Sequence, residues 1–147
     1  SQQCGIVAGA RIDLVPDNCF ETSSRINSTW GGNLVDMIRS TAVLETIRDE
    51  QLASNAAAQG TRWLEGMAGL AKTYDWVTNV RGQGLVYAFD VPTPEERNAF
   101  LTTMMEQGLI GLSSGERTIR FRPHLAITDA DTDRCLELLE ASFQASR

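Results

Sequence analysis

Residues 76–96 read Trp-Val-Thr-Asn-Val-Arg-Gly-Gln-Gly-Leu-Val-Tyr-Ala-Phe-Asp-Val-Pro-Thr-Pro-Glu-Glu. Trp76–Val80 and Leu85–Val91 have the apolar content of strands, and Arg81-Gly82-Gln83-Gly84 reads as the tight connection between them. In the second run Leu85, Tyr87 and Phe89 alternate with Val86, Ala88 and Asp90, the period of a strand with one buried face. Thr93-Pro94-Glu95-Glu96 then starts a helix: Thr93 caps it, Pro94 suits the first helical position, and Glu96 completes a capping box.

The pattern extends outward in both directions from this strand–turn–strand–helix unit. Towards the C-terminus, Phe100, Leu101, Met104 and Met105 form the buried face of the helix. Gly108–Leu112 reads as a strand. Gly115 lies in a turn leading to a strand at Arg117–Arg122, which Pro123 stops. Thr128 with Asp131 caps a last helix that turns Cys135, Leu138, Leu139 and Phe143 inward. Towards the N-terminus, Ala56, Gly60, Trp63, Leu64, Met67 and Leu70 share one face of a helix over 52–72. Leu34, Met37, Ile38, Thr41, Leu44 and Ile47 recur at helical spacing over 33–50. The first thirty residues differ. Gly5–Gly9 suits a short buried strand, Ile12, Leu14 and Val15 a second one closed by Pro16, and Asp17–Thr29 is polar and aperiodic. The fold class is therefore α/β of the α+β type, a mostly antiparallel sheet covered by helices, with one boundary near Gly32.

Composition excludes several classes of function. The chain has 147 residues, 42% hydrophobic and 22% charged, with a formal charge of −6. That length buries a core without staples, and the acidic balance argues against nucleic-acid or anionic-membrane partners. No run reaches the roughly 20 apolar residues of a membrane span, and no export signal opens the chain. A cytoplasmic location is expected. Cys4, Cys19 and Cys135 are scattered, as in a reducing compartment, and with one histidine they make no metal cluster. Twelve of the thirteen basic residues are arginine, and Lys72 is the sole lysine.

Two segments could carry chemistry. Ser28-Thr29-Trp30-Gly31-Gly32-Asn33 puts a hydroxyl and two glycines before a helix, where unpaired N–H groups and the macrodipole favour a phosphate. The same residues also read as a helix cap behind a glycine turn. In Thr118-Ile119-Arg120-Phe121-Arg122-Pro123, strand alternation puts Arg120 and Arg122 on one face. A guanidinium on a strand end suits bidentate recognition of a carboxylate, though an exposed sheet face has the same period. Arg81–Gly84 precedes a strand and not a helix, so it reads as structural. His124 stands alone beside Pro123, and Asp129, Asp131 and Asp133 read as charges favourable to a helix dipole.

Together these residues resemble a known family. Arg25-Ile26-Asn27-Ser28-Thr29-Trp30-Gly31-Gly32-Asn33 is similar to the T-[FW]-G-G-N segment of class III pyridoxal-phosphate aminotransferases. Cys4-Gly5-Ile6, Arg81–Leu85 and Ile119–Pro123 follow in the family's order. Asn27–Trp30 and Arg120–Pro123 most resemble the L-lysine 6-aminotransferase branch, with the ornithine and 4-aminobutyrate branches as alternatives.

The resemblance implies the small C-terminal domain of a fold-type I transferase (33–147, with its leading connecting helix) behind a trailing strip of the large domain (1–32). It implies transfer of the side-chain amino group of L-lysine to 2-oxoglutarate in a homodimer. Thr29 would bind the cofactor phosphate of the neighbouring subunit, Arg120 the substrate carboxylate, and Asn27 the substrate side. His124 departs from the family's more usual second proline. Such a transaminase needs a lysine to anchor its cofactor. Lys72, near a helix end and remote from every landmark, does not match it, so the anchor is expected upstream of Ser1 and the 147 residues alone are expected to be inactive. A free-standing interaction module of the same fold is the reading from another class, and the coding sequence before Ser1 separates the two.

Overall fold

The computed structural model describes residues 9–23 and 33–146. The chain divides into two compact units, Ser1–Glu50 and Gln51–Arg147. The expected strand at Gly5–Gly9 and the segment holding Asn27, Thr29 and the glycine pair lie outside the described residues, save for Gly9.

In the first unit, Ala10–Leu14 forms a 3-10 helix and not the short strand expected from Ile12, Leu14 and Val15. Asn18 supplies the reason. Its side-chain amide donates to the carbonyls of Ile12 (3.2 Å) and Val15 (2.9 Å), and its oxygen accepts from the Phe20 N–H (2.9 Å). Local side-chain bonds of this kind outcompete a strand that has no partner among the described residues. Helix α1 spans Leu34–Asp49, and the Asn33 side chain caps it by accepting from the Val35 N–H at 2.9 Å. Its expected apolar positions are not buried: Leu34, Ile38 and Leu44 are 76%, 71% and 65% exposed.

The second unit runs α2 (Leu52–Thr73), β1 (Thr78–Gln83), β2 (Val86–Asp90), α3 (Pro94–Glu106), β3 (Leu112–Ser114), β4 (Thr118–Phe121) and α4 (Asp129–Ala145). The four strands form one antiparallel sheet in the order β1-β2-β4-β3. Helices α2, α3 and α4 cover one face. Trp63 and Met67 of α2, Met104 of α3 and Phe143 of α4 pack with Phe89 of β2 and Ile119 of β4 in a single core. Each such side chain contributes roughly 1.5–3 kcal/mol by leaving water.

Two glycines set how closely α2 meets the sheet. The β1–β2 turn needs a left-handed residue, and Gly84 supplies φ +54°. Gly60 of α2 lies against that turn: a Cβ there would sit 2.0 Å from the Gly84 carbonyl oxygen. Thr128 and Asp131 form the reciprocal capping box of α4, whereas in α3 only the Thr93 hydroxyl engages, accepting from the Glu96 N–H at 3.2 Å.

Two boundaries and one expected core position differ from the sequence reading. Arg81, Gly82 and Gln83 belong to β1, so the connection shrinks to Gly84-Leu85. The strand expected at Gly108–Leu112 begins only at Leu112, because Gly108 at φ +85° closes α3 and the Leu109 N–H bonds back to Met104. Met105 is 67% exposed, since Phe100, Leu101 and Met104 already fill the core face of α3.

Candidate functional site

The face of the sheet away from the helices carries the polar groups. On β4, Ile119 and Phe121 are buried while Arg120 and the following Arg122 are exposed, as strand alternation requires. The register places Ala88 of β2 on one side of Arg120 and Leu112 of β3 on the other. Arg81 of β1 is opposite Ala88 in turn. Arg81, Ala88 and Arg120 therefore form one cross-strand row. With strands about 4.8 Å apart, the two arginine Cα atoms are about 10 Å apart, with only a methyl group between them.

The two arginines are held differently. Arg81 donates through Nη1 to Asp90 Oδ1 (2.9 Å) and the Asn79 carbonyl (2.8 Å), and through Nη2 to Thr118 Oγ1 (3.2 Å). Three of its five N–H groups are thus engaged. The centre of this network is Asp90, whose side chain is only 8% exposed. Thr118 Oγ1 donates to Asp90 Oδ1 at 2.6 Å and Asn79 Nδ2 to Oδ2 at 2.8 Å. Burial pushes the Asp90 carboxyl upward, but bonds from Thr118, Asn79 and Arg81, with the Arg81 charge, outweigh it and hold the group below its ordinary value. Asn79 reaches this position through a left-handed backbone (φ 51°) beside an irregularity in the β1–β2 register, a conformation that asparagine tolerates better than most residues. Arg120, by contrast, donates to no partner among the described residues. A free, strand-mounted guanidinium is equipped to grip a carboxylate.

Other candidates take structural roles. Arg62 of α2 pairs with Asp133 of α4 (2.6 Å) and reaches Asp129 (3.5 Å), while Gln59 bonds both Asp129 and Thr132. Asp129 and Asp133 thereby tie two helices together besides favouring the α4 dipole. His124 is exposed in the loop after β4. Arg122 and Pro123 border an apolar cavity of about 350 Å³ that also touches Cys135. Burial pushes the Cys135 thiol up to about 11. Among the described residues no group of His, Cys, Asp or Glu is placed to hold a metal, and no helix is long and apolar enough to cross a membrane.

The sequence reading missed Arg81 and Asp90 as site residues. Asp90 already stood on the polar side of the Leu85–Asp90 alternation. Continuing β1 through Gln83 would have put Arg81 opposite Ala88, on the same sheet face as Asp90.

Comparison with known proteins agrees with this architecture. The family described as aminotransferase class-III matches residues 13–143. The chain belongs to the class-III aminotransferases. It is 44% identical to the L-lysine-epsilon aminotransferase of Streptomyces clavuligerus, covering 99% of this chain and 32% of that protein. It is 46% identical to the enzyme of the same name from Amycolatopsis lactamdurans, covering 100% and 33%. Among solved structures, lysine aminotransferase from M. tuberculosis superposes with a TM-score of 0.85 at 36% identity, over 98% of this chain and 33% of that one. This class-III chain thus spans about a third of the length of the relatives it matches. Its sheet and helices are those of the small C-terminal subdomain of fold-type I transferases.

Pyridoxal phosphate is the cofactor of the class, and the described residues do not build a seat for it. Lys72 is exposed in the last turn of α2, in the helical layer, whereas Arg120 faces out from the opposite side of the sheet. No described lysine therefore stands on the face that carries Arg120.

Proposed function

We propose that this chain is the C-terminal part of a cytoplasmic, homodimeric class-III aminotransferase that moves the side-chain amino group of L-lysine to 2-oxoglutarate. On this reading residues 1–32 trail from the large domain and 33–147 make the small domain with its connecting helix. The pyridoxal phosphate supplies the electron sink for amino transfer, and its anchoring lysine lies in sequence preceding this chain. The chain's own contribution is to bind and orient. Arg120 pairs with the carboxylate of the amino donor and of 2-oxoglutarate in turn, Asn27 lies beside the substrate, and Thr29 donates to the cofactor phosphate of the neighbouring subunit.

One observation carries the reading. Of the two arginines in the cross-strand row, Arg81 is engaged by Asp90 and Thr118 whereas Arg120 has no partner among the described residues. Lysine as donor is supported by the 44% and 46% identities to L-lysine-epsilon aminotransferases, against 34% to the pig 4-aminobutyrate enzyme. Two of the matched solved structures carry an asparagine-to-alanine and a threonine-to-serine mutation two positions apart, the residue types and spacing of Asn27 and Thr29.

The test is steady-state kinetics on the complete protein that carries this chain. Losing a charge-assisted pair costs about 3 kcal/mol, so Arg120→Ala should raise the KM for 2-oxoglutarate about 100-fold. Arg120→Lys should fall between it and the unaltered protein. An unchanged KM in Arg120→Ala would remove the assignment of Arg120. Faster turnover of L-ornithine or 4-aminobutyrate than of L-lysine would remove the donor assignment.

A further inference from the structure

The structure assigns a separate ligand site to the cavity bordered by Tyr87, Phe121, Arg122 and Cys135, one that takes an aromatic carboxylate bearing a second hydrogen-bonding group. The assignment is independent of which amino donor the complete protein uses.

The walls are the first support. Tyr87 of β2 and Phe121 of β4 are register partners, and between them, the Leu109–Leu112 segment and Cys135 of α4 lies a cavity of about 350 Å³. That volume falls in the range of small-molecule pockets, about 300–1,000 Å³. Leu109, Phe121 and Ile127 make its lining apolar. The Tyr87 and Phe121 rings, 6.0 Å apart and tilted by 32°, offer surfaces against which a further ring packs well. Ile110, also on the border, is 73% exposed, so the cavity has an edge at the solvent.

The second support is an orphaned hydroxyl. Tyr87 is only 2% exposed, yet its hydroxyl makes no hydrogen bond among the described residues. Buried polar groups are nearly always satisfied, and an exception on the border of a cavity calls for a partner inside it. Cys135 lines the same cavity, close enough for a thiolate there to oppose ionisation of Tyr87. Burial holds both the phenol and the thiol above their ordinary pKa values. These two groups are therefore polar but uncharged at neutral pH, and suit a neutral hydrogen-bonding atom. Arg122 is the one charged residue on the border, exposed and without a partner among the described residues. It supplies the complement for a carboxylate. A neutral polar pair, ring-lined walls and one guanidinium together define the ligand class.

The test is isothermal titration calorimetry on the complete protein that carries this chain, with 4-hydroxyphenylacetate as the probe. A ligand of this size should bind with a Kd of about 0.1–1 mM. Phenylacetate, which lacks the phenol, should bind about fivefold more weakly, the worth of one hydrogen bond. The uncharged 4-hydroxyphenylacetamide should bind about tenfold more weakly than the acid, and Arg122→Gln should weaken the acid to a similar degree. Tyr87→Phe keeps the ring and removes only the hydroxyl. It should cost 4-hydroxyphenylacetate about fivefold and leave phenylacetate unchanged.

Arg120→Ala should leave both acids bound as before, which separates this cavity from the carboxylate grip proposed at Arg120. Loss of binding in Arg120→Ala would overturn the inference, because the probe would then be sitting at Arg120. No binding of 4-hydroxyphenylacetate at millimolar concentration would overturn it as well, and would do so without any variant having to fold. That result would mean that another part of the complete protein fills the cavity. Equal affinities for the acid and the amide, or equal losses for both acids in Tyr87→Phe, would also overturn it.

Discussion

Replacing Trp63 by alanine tests the layer on which the open face rests. Trp63 is 0% exposed. Its ring stacks on Tyr87 at 4.0 Å between centroids and 20° between planes, and lies 5.8 Å from Phe121. Tyr87 and Phe121 are sequence neighbours of Ala88 and Arg120, projecting from the other side of the same strands. A buried tryptophan removes about 150–250 Å² from water. At about 25 cal/mol per Å² this is roughly 4–6 kcal/mol, an upper bound because the unfolded chain is itself partly collapsed. Large-to-small data for aromatic residues give about 3–5 kcal/mol, so about 4 kcal/mol is expected. With a urea m-value of about 2 kcal/mol per M, the midpoint should fall by about 2 M. The assay is urea unfolding followed by far-ultraviolet circular dichroism, which does not depend on the deleted fluorophore. Trp63→Phe, which keeps a ring against Tyr87, should lose less than half as much. A midpoint shift below 0.5 M for Trp63→Ala would refute the account of the core.

Three further outcomes are expected. Gly60→Ala must push α2 off the β1–β2 turn, because the new methyl would collide with the Gly84 carbonyl; its melting temperature should drop despite alanine's better helix propensity, and an increase would show that the contact yields. Asp90 has a folded pKa below its ordinary 3.8, so its stabilisation is present above that value and lost as pH falls below it. Asp90→Asn should flatten that acid limb in denaturation measured between pH 2 and pH 5. With its thiol pushed up to about 11 by burial, Cys135 should resist iodoacetamide at pH 7.5 and react only after unfolding, as peptide mapping would read.

Local rules carried the sequence reading where local rules govern. From residue 34 onward the order of elements follows from hydrophobic period and capping, because Thr93 and Thr128 cap their helices by short-range bonds. Strand alternation likewise separated Arg120 from Ile119 and Phe121. What escaped the sequence depends on contacts between strands. Arg81 looked like turn sequence because two glycines follow it closely, yet pairing with β2 carries the strand through Gln83. Asp90 gained its meaning only when Asn79, Arg81 and Thr118, spread over 40 residues of sequence, met it on one face. Residues 10–14 failed for the opposite reason: a single asparagine three to six residues from the apolar set redirects the backbone.

The strand order also bears on how copies of this domain behave at high concentration. The two outermost strands of the sheet are β1, interrupted by an irregular register, and β3, only three residues long. Neither margin offers a long, flat row of unpaired amides on which another molecule could zip. A protein arranged in this way resists growth into ribbons by strand addition and can keep a flat, cation-bearing surface in water without seeding fibrils.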